Sequence, residues 1–119
     1  MSLLEKVTDL NNRIQQGQVM DAFETFYHPE VVMQENNEAP RLGKEANRVY
    51  EQGFVDAVET WNEAKVLATT ANEAEGTTAV EWFMDFTFKG GQRAARRQVC
   101  VQKWQDGQII EEKCYYPEG

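Results

Sequence analysis

Between Thr77 and Phe88 the apolar residues alternate. Val80, Trp82, Met84, Phe86 and Phe88 fall on one face, and Glu81, Asp85 and Thr87 fall with Phe83 on the other. Period two over that length predicts a strand with one face against a core. Gly90-Gly91 and Asp106-Gly107 follow, and each reads as a two-residue hairpin turn. The chain from Thr77 to Tyr116 is therefore expected to form an antiparallel meander. With both turns tight, Trp82 faces Val99, Met84 faces Arg97, Val101 faces Glu112, Val99 faces Cys114, and Asp85 pairs with Arg96 on the other side. The expected core face collects Trp82, Met84, Phe86, Val99, Val101, Ile110 and Cys114, and Glu112 and Arg97 fall on it too. A one-residue slip in either turn would reverse those sides.

The N-terminal half reads as helices with one strand. Leu3, Leu4, Val7, Leu10 and Ile14 recur at helical spacing between Ser2 and Gln16, with Ser2 and Glu5 placed for a capping box and Gly17 as the stop. A shorter helix is expected from Val19 to Tyr27, ended by His28-Pro29 because the residue before proline is pushed out of the helical region. Val31–Glu35 reads as a strand, Asn36–Pro40 as a turn, and Lys44 to Asp56 as a third helix with Ala46, Val49, Tyr50 and Phe54 apolar. Val58 to Ala74 is strand-like around Trp61, Val66 and Leu67.

These elements suit one domain, 1–119, of α+β class. A chain of 119 residues with 41% hydrophobic content can bury a single core. A net charge of −8 argues against nucleic-acid partners, which need a basic surface, and against anionic membranes. No apolar run approaches the ~20 residues of a membrane span. The start, MSLLEKVTDLNNR, has no apolar core of a secretory signal, so a cytoplasmic location is expected. Cys100 and Cys114 lack a CxxC spacing and read as free thiols in a reducing compartment, with a bridge as the alternative. One histidine and two cysteines make no zinc pattern.

The segments FYHPEVVMQE (Phe26–Glu35), PRLGKE (Pro40–Glu45), AVEWFMDFTF (Ala79–Phe88) and WQDGQIIEEKCYY (Trp104–Tyr116) carry a resemblance over nearly the whole chain. It resembles the nuclear-transport-factor-2-like superfamily, and within it the SnoaL-like, polyketide cyclase-like group. The resemblance implies a cone: a curved antiparallel β-sheet packed against three N-terminal helices, with a pocket between them. It also implies a homodimer through the outer sheet face, where Phe83, Trp104, Ile109 and Tyr115 are expected among charges.

The same resemblance points to Glu35, at a strand end before a Pro-Arg-x-Gly turn. In the related steroid isomerases a similar position carries the carboxylate that shuttles the proton. Their other two groups are not matched, since Leu10 and Cys100 fall at those positions. The histidine of the cyclases is not matched either, because the one histidine, His28, sits at a helix end. Glu112 is the second candidate acid, a buried carboxylate that needs a partner, and Arg97 is expected to supply one. Tyr27, Trp61, Trp82, Met84 and Phe86 are expected to line the pocket, with Arg97 beside them, and to suit a hydrophobic or aromatic small molecule. The two readings of function are a cofactor-independent isomerase or cyclase, without metal, and a non-catalytic binder of a hydrophobic ligand.

Overall fold

The structure is a computed structural model and describes residues 1–117. The elements follow in the order α1 (Leu3–Gln15), α2 (Val19–Phe26), β1 (Tyr27–Glu35), β2 (Arg41–Leu42), α3 (Lys44–Ala57), β3 (Val58–Asn72), β4 (Thr77–Phe88), β5 (Arg93–Gln105) and β6 (Gln108–Tyr115). The strands form one curved sheet, ordered β2-β1-β6-β5-β4-β3. Its neighbours are antiparallel apart from β1 and β6, which run parallel. The helices pack on the concave face, giving the α+β cone expected.

Local signals explain the helix boundaries. Ser2 caps α1, its Oγ accepting from the Glu5 amide while the Glu5 carboxylate accepts from the Ser2 amide. Each bond satisfies an amide that a helix start leaves unpaired. Val7 and Leu10 of α1 are fully buried. α2 passes directly into β1 at Tyr27, whose backbone is already extended. β1 is thus longer than the Val31–Glu35 expected, because His28 and Pro29 continue the strand and the His28 ring accepts from the Glu30 amide.

The sheet departs from the sequence-based register at two places, and both matter. The first turn spans Lys89, Gly90 and Gly91 rather than two residues, closed by hydrogen bonds from the Phe88 amide to the Gln92 carbonyl and from the Gly91 amide to the Phe88 carbonyl. Both glycines have positive φ, 103° and 95°, which residues with a Cβ rarely adopt. The extra residue shifts β5 by one, so Met84 faces Arg96 and Trp82 faces Gln98. Every β5 side chain is reversed relative to the expectation. Arg96, Gln98, Cys100 and Gln102 turn inward, while Arg97, Val99 and Val101 turn outward and are exposed. Asp85 consequently pairs with Arg93, not Arg96.

The second turn, Asp106-Gly107, is the two-residue turn expected, with φ of 54° and 79°. A bulge then shifts the pairing between Trp104↔Ile109 and Lys103↔Glu111. Ile110 absorbs the extra position, so Ile109 is fully buried and Glu112 and Cys114 also face inward. Ile109 and Trp104 therefore belong to the core and not to the outer face, where Val99, Val101 and Tyr115 are exposed instead.

These shifts also place Cys100 directly opposite Cys114, with Cα atoms 4.1 Å apart, and the two sulfurs form a disulfide. The free-thiol expectation is corrected by that geometry. Sequence-based pairing set Cys114 against Val99, which hid the bridge.

Candidate functional site

A cavity of about 140 Å³ lies between the helices and the concave sheet face. Tyr27, Glu35, Trp61, Trp82, Met84, Phe86 and Glu112 all line it. Arg97 does not, since the reversed register points it to solvent; Arg96 lines the cavity instead.

One end is aromatic. Phe54, at the end of α3, meets Trp61, Phe86 and Phe88 edge to face, with ring centroids 5.8, 5.1 and 6.1 Å away. Phe86 in turn meets Trp61 at 5.6 Å and Phe88 at 5.2 Å. The positive edges of these rings face negative faces, the geometry that stabilises such pairs by about 0.5–1.5 kcal/mol beyond burial.

The other end is polar, and Glu112 sits at its centre, 7% exposed. The Tyr27 hydroxyl donates to both carboxylate oxygens at 2.8 Å, and the Gln102 amide donates at 2.8 Å. The donors continue outward in a fixed sense. The Trp104 indole N–H, which can only donate, bonds the Thr78 hydroxyl at 2.8 Å, and that hydroxyl donates to the Gln102 carbonyl oxygen at 2.6 Å. Gln102 is thereby oriented with its NH₂ toward Glu112. Burial raises the Glu112 pKa above the ordinary carboxylate value, and the two donors, which favour the anion, oppose that rise. The Tyr27 hydroxyl is held well above its usual range by burial and by the Glu112 charge, so it stays a donor.

Glu35 ends β1 in a different setting. Arg41 donates to it at 2.9 Å and also to the Asn47 carbonyl oxygen at 3.0 Å, and its guanidinium lies 3.6 Å from the Tyr50 ring centroid. Asn47 is completely buried and donates to the Gly43 and Arg41 carbonyls. One buried amide on α3 thus folds the Pro-Arg-Leu-Gly turn so that Arg41 reaches Glu35.

Glu51 is the acid that sequence reasoning missed. It projects from α3 into the cavity, and among the described residues no hydrogen-bond or ion-pair partner holds it. Burial, reinforced by the nearby Glu112 and Glu35 charges and only partly countered by Arg41, raises its pKa to about 8. The signal was present: Asn47, Glu51 and Phe54 stand at i, i+4 and i+7, one face of a helix. The expected face, Ala46, Val49, Tyr50 and Phe54, finds Phe54 packed inward, but Val49 and Tyr50 are 66% and 41% exposed, Tyr50 reaching the cavity rim.

The sulfurs of Cys100 and Cys114 and a Glu112 oxygen lie within 4.8 Å of one another. Joined in a disulfide, the cysteines offer no thiolate to a metal. The cavity thus carries three carboxyl groups in three settings: Glu112 held by two donors, Glu35 paired with Arg41, and Glu51 without a partner among the described residues.

The chain matches the family described as SnoaL-like domain over residues 3–116. No curated protein matches it in sequence. Among solved structures it is similar to a protein from Mesorhizobium loti described both as a SnoaL-like polyketide cyclase and as a carbohydrate phosphatase, at 26% identity and TM-score 0.84, covering 98% of this chain and 100% of that one. A Pseudomonas putida protein described as a polyketide cyclase shares the fold at 16% identity and TM-score 0.83, covering 98% and 92%. One from Rhodopseudomonas palustris, described as an isomerase, shares it at 12% identity and TM-score 0.75, covering 95% and 87%. With the match spanning all its helices and strands, the chain belongs to the SnoaL-like domain family.

Proposed function

We propose that the cavity holds an apolar small molecule and that its carboxyl groups move a proton on it, in a cofactor-independent isomerase- or cyclase-type reaction. The observation that carries this reading is Glu51, an acid with no partner in an aromatic-walled cavity and a pKa near 8. A carboxylic acid that keeps its proton at neutral pH is a general acid, and one tuned close to ambient pH exchanges that proton readily. Glu112, facing the same cavity, is the second acid and accepts the proton leaving the ligand. Glu35 contributes charge and orientation through its pair with Arg41. Such a shift moves two protons and leaves the oxidation state unchanged, so no redox partner enters the balance. Neighbours described as cyclases and an isomerase agree with this class.

The test begins with the molecule that copurifies with the chain, identified by mass spectrometry and offered as substrate. Glu51→Gln is expected to lower kcat by ~100-fold or more while ligand affinity stays within about threefold. Full turnover in that variant would remove Glu51 from the mechanism.

One observation favours a non-catalytic binder as the second reading. Glu112 is saturated by Tyr27 and Gln102, as a purely structural buried acid would be. On that reading the ligand returns chemically unchanged from the native chain, and Glu112→Gln weakens folding but alters no reaction.

A further inference from the structure

Arg96 is the cationic side chain that the sequence-based register pointed away from the cavity, and the structure gives it no partner there. Its Nε is buried without a hydrogen bond. Other inward or half-buried arginines are spoken for: Arg41 holds Glu35, Arg13 holds Asp9 and Arg48 holds Glu24. No carboxylate among the described residues forms an ion pair with Arg96. A buried guanidinium N–H left unmatched costs free energy, and Arg96 lines the cavity with no ion pair, so its guanidinium keeps donor capacity that the empty cavity does not use.

The orientation of Arg96 is fixed by stacking. Its guanidinium carbon lies 3.9 Å from the Tyr116 ring centroid and 5.2 Å from that of Phe86. Rings on the flat face of a guanidinium hold its plane and leave its N–H edge free to meet an acceptor. A planar fork of donors matches a planar pair of oxygens. The surrounding acids limit the charge of that acceptor. Glu35 is neutralised by Arg41 and Glu51 keeps its proton at neutral pH, so a single negative charge is tolerated. A dianion such as a phosphate monoester would bring a second negative charge beside Glu112, which Arg96 alone would have to offset. The size of the cavity, about 140 Å³, is close to that of engineered cavities that accept benzene.

We infer that the cavity takes an apolar molecule of about one ring that carries a carboxylate, and that Arg96 binds the carboxylate. This rests on the proposal that the cavity is a ligand site, and it names the class of ligand.

The test is titration calorimetry on the full chain with benzoate, its neutral isostere benzamide and the cation benzamidine. Benzoate is expected to bind the native chain ~10-fold tighter than benzamide, the tenfold that about 1.4 kcal/mol provides. Arg96→Met keeps the stacked stem and removes the fork; it is expected to lose that tenfold for benzoate and to leave benzamide within about threefold. Arg96→Lys, which keeps a charge without the fork, is expected to fall between. Equal binding of benzoate and benzamide by the native chain overturns the inference while leaving the ligand site intact, and so does tighter binding of benzamidine. Equal weakening of both probes by Arg96→Met makes Arg96 a wall and overturns it as well. Failure of every probe to bind overturns it together with the ligand site, whereas full turnover in Glu51→Gln, which removes the proposed acid, leaves Arg96 as the carboxylate site. Circular dichroism and thermal melting of both variants confirm that the fold is retained.

Discussion

The two ends of the cavity are built on opposite plans. At the aromatic end, Phe54, Trp61, Phe86 and Phe88 touch one another in a single cluster, and three of the four lie on β3 and β4, adjacent strands of one hairpin. At the polar end, Tyr27 and Glu112 meet from positions 85 residues apart, and Gln102, Thr78 and Trp104 arrive from two further strands. The aromatic end is robust because many weak contacts overlap. The polar end depends on a few directed bonds, each of which fails if a strand slips by one residue. Overlapping packing and directed hydrogen bonding are thus separated within one cavity.

That separation can be broken most visibly at Phe86, which is 1% exposed and central to the ring cluster. Phe86→Ala is expected to cost about 3–5 kcal/mol, the usual range for emptying a buried aromatic site. Urea unfolding followed by fluorescence measures it. A loss below about 1 kcal/mol would show that the rings are pocket lining and carry little of the fold.

The next largest effect concerns how the polar end keeps its register. The Cys100–Cys114 bridge joins β5 to β6 two residues from Gln102 and Glu112 and closes a loop with a sequence separation of 14. Replacing both cysteines by alanine is expected to cost up to about 3 kcal/mol, the chain-entropy value for a loop of this length, and less to the extent that the hairpin pairs in the unfolded chain. Equal denaturant midpoints for native and variant chains would mean that the bulge at Ile110 holds the register unaided. Free thiols in the native chain, detected by alkylation and intact mass, would overturn the bridge itself. The bridge also removes one of the supports for the cytoplasmic expectation, which had read the cysteines as reduced.

The same contrast explains what could be read from sequence. Val80, Trp82, Met84 and Phe86 announce their strand and its inward face by alternation alone, a local signal that tertiary context did not change. Tyr27 and Trp61, expected as apolar lining, and Glu35, to which the family resemblance points, all lie along the cavity. The polar wall on β5 was not legible, because it turns on whether the Gly90-Gly91 turn contains two residues or three. Two glycines permit either, and the difference exchanges Arg97 for Arg96 on the inward face, while the bulge at Ile110, which no turn residue announces, sets Cys100 rather than Val99 against Cys114. Glu112 faces inward as expected only because two departures cancel: the longer first turn sends Val101, its expected partner, outward, and the bulge at Ile110 re-pairs Glu112 with inward Gln102. Glu51 was hidden for another reason: hydrophobicity picks out Ala46, Val49, Tyr50 and Phe54 on α3, yet the helix turns Asn47 and Glu51 inward beside Phe54. A polar stripe that lines a cavity is invisible to a search for apolar periodicity.

The smallest expected effect follows from Glu51 and sharpens the comparison at its reactive side. In the unfolded chain this carboxyl titrates near 4.5, and in the folded chain near 8. Between those values the folded state binds more protons than the unfolded one, so stability falls as pH rises through that window and levels off above it. Glu112 is shifted in the same direction and adds to the slope. Glu51→Gln removes one of the two contributions. Discounting for solvent that reaches the carboxyl through the cavity mouth, the variant is expected to gain about 1–2 kcal/mol over the native chain at pH 8 and little at pH 4. Thermal melts across that range measure the difference. A native chain whose stability is flat from pH 5 to pH 8 would mean that both acids ionise freely, and the cavity would then lack the protonated carboxyl on which its proposed chemistry depends.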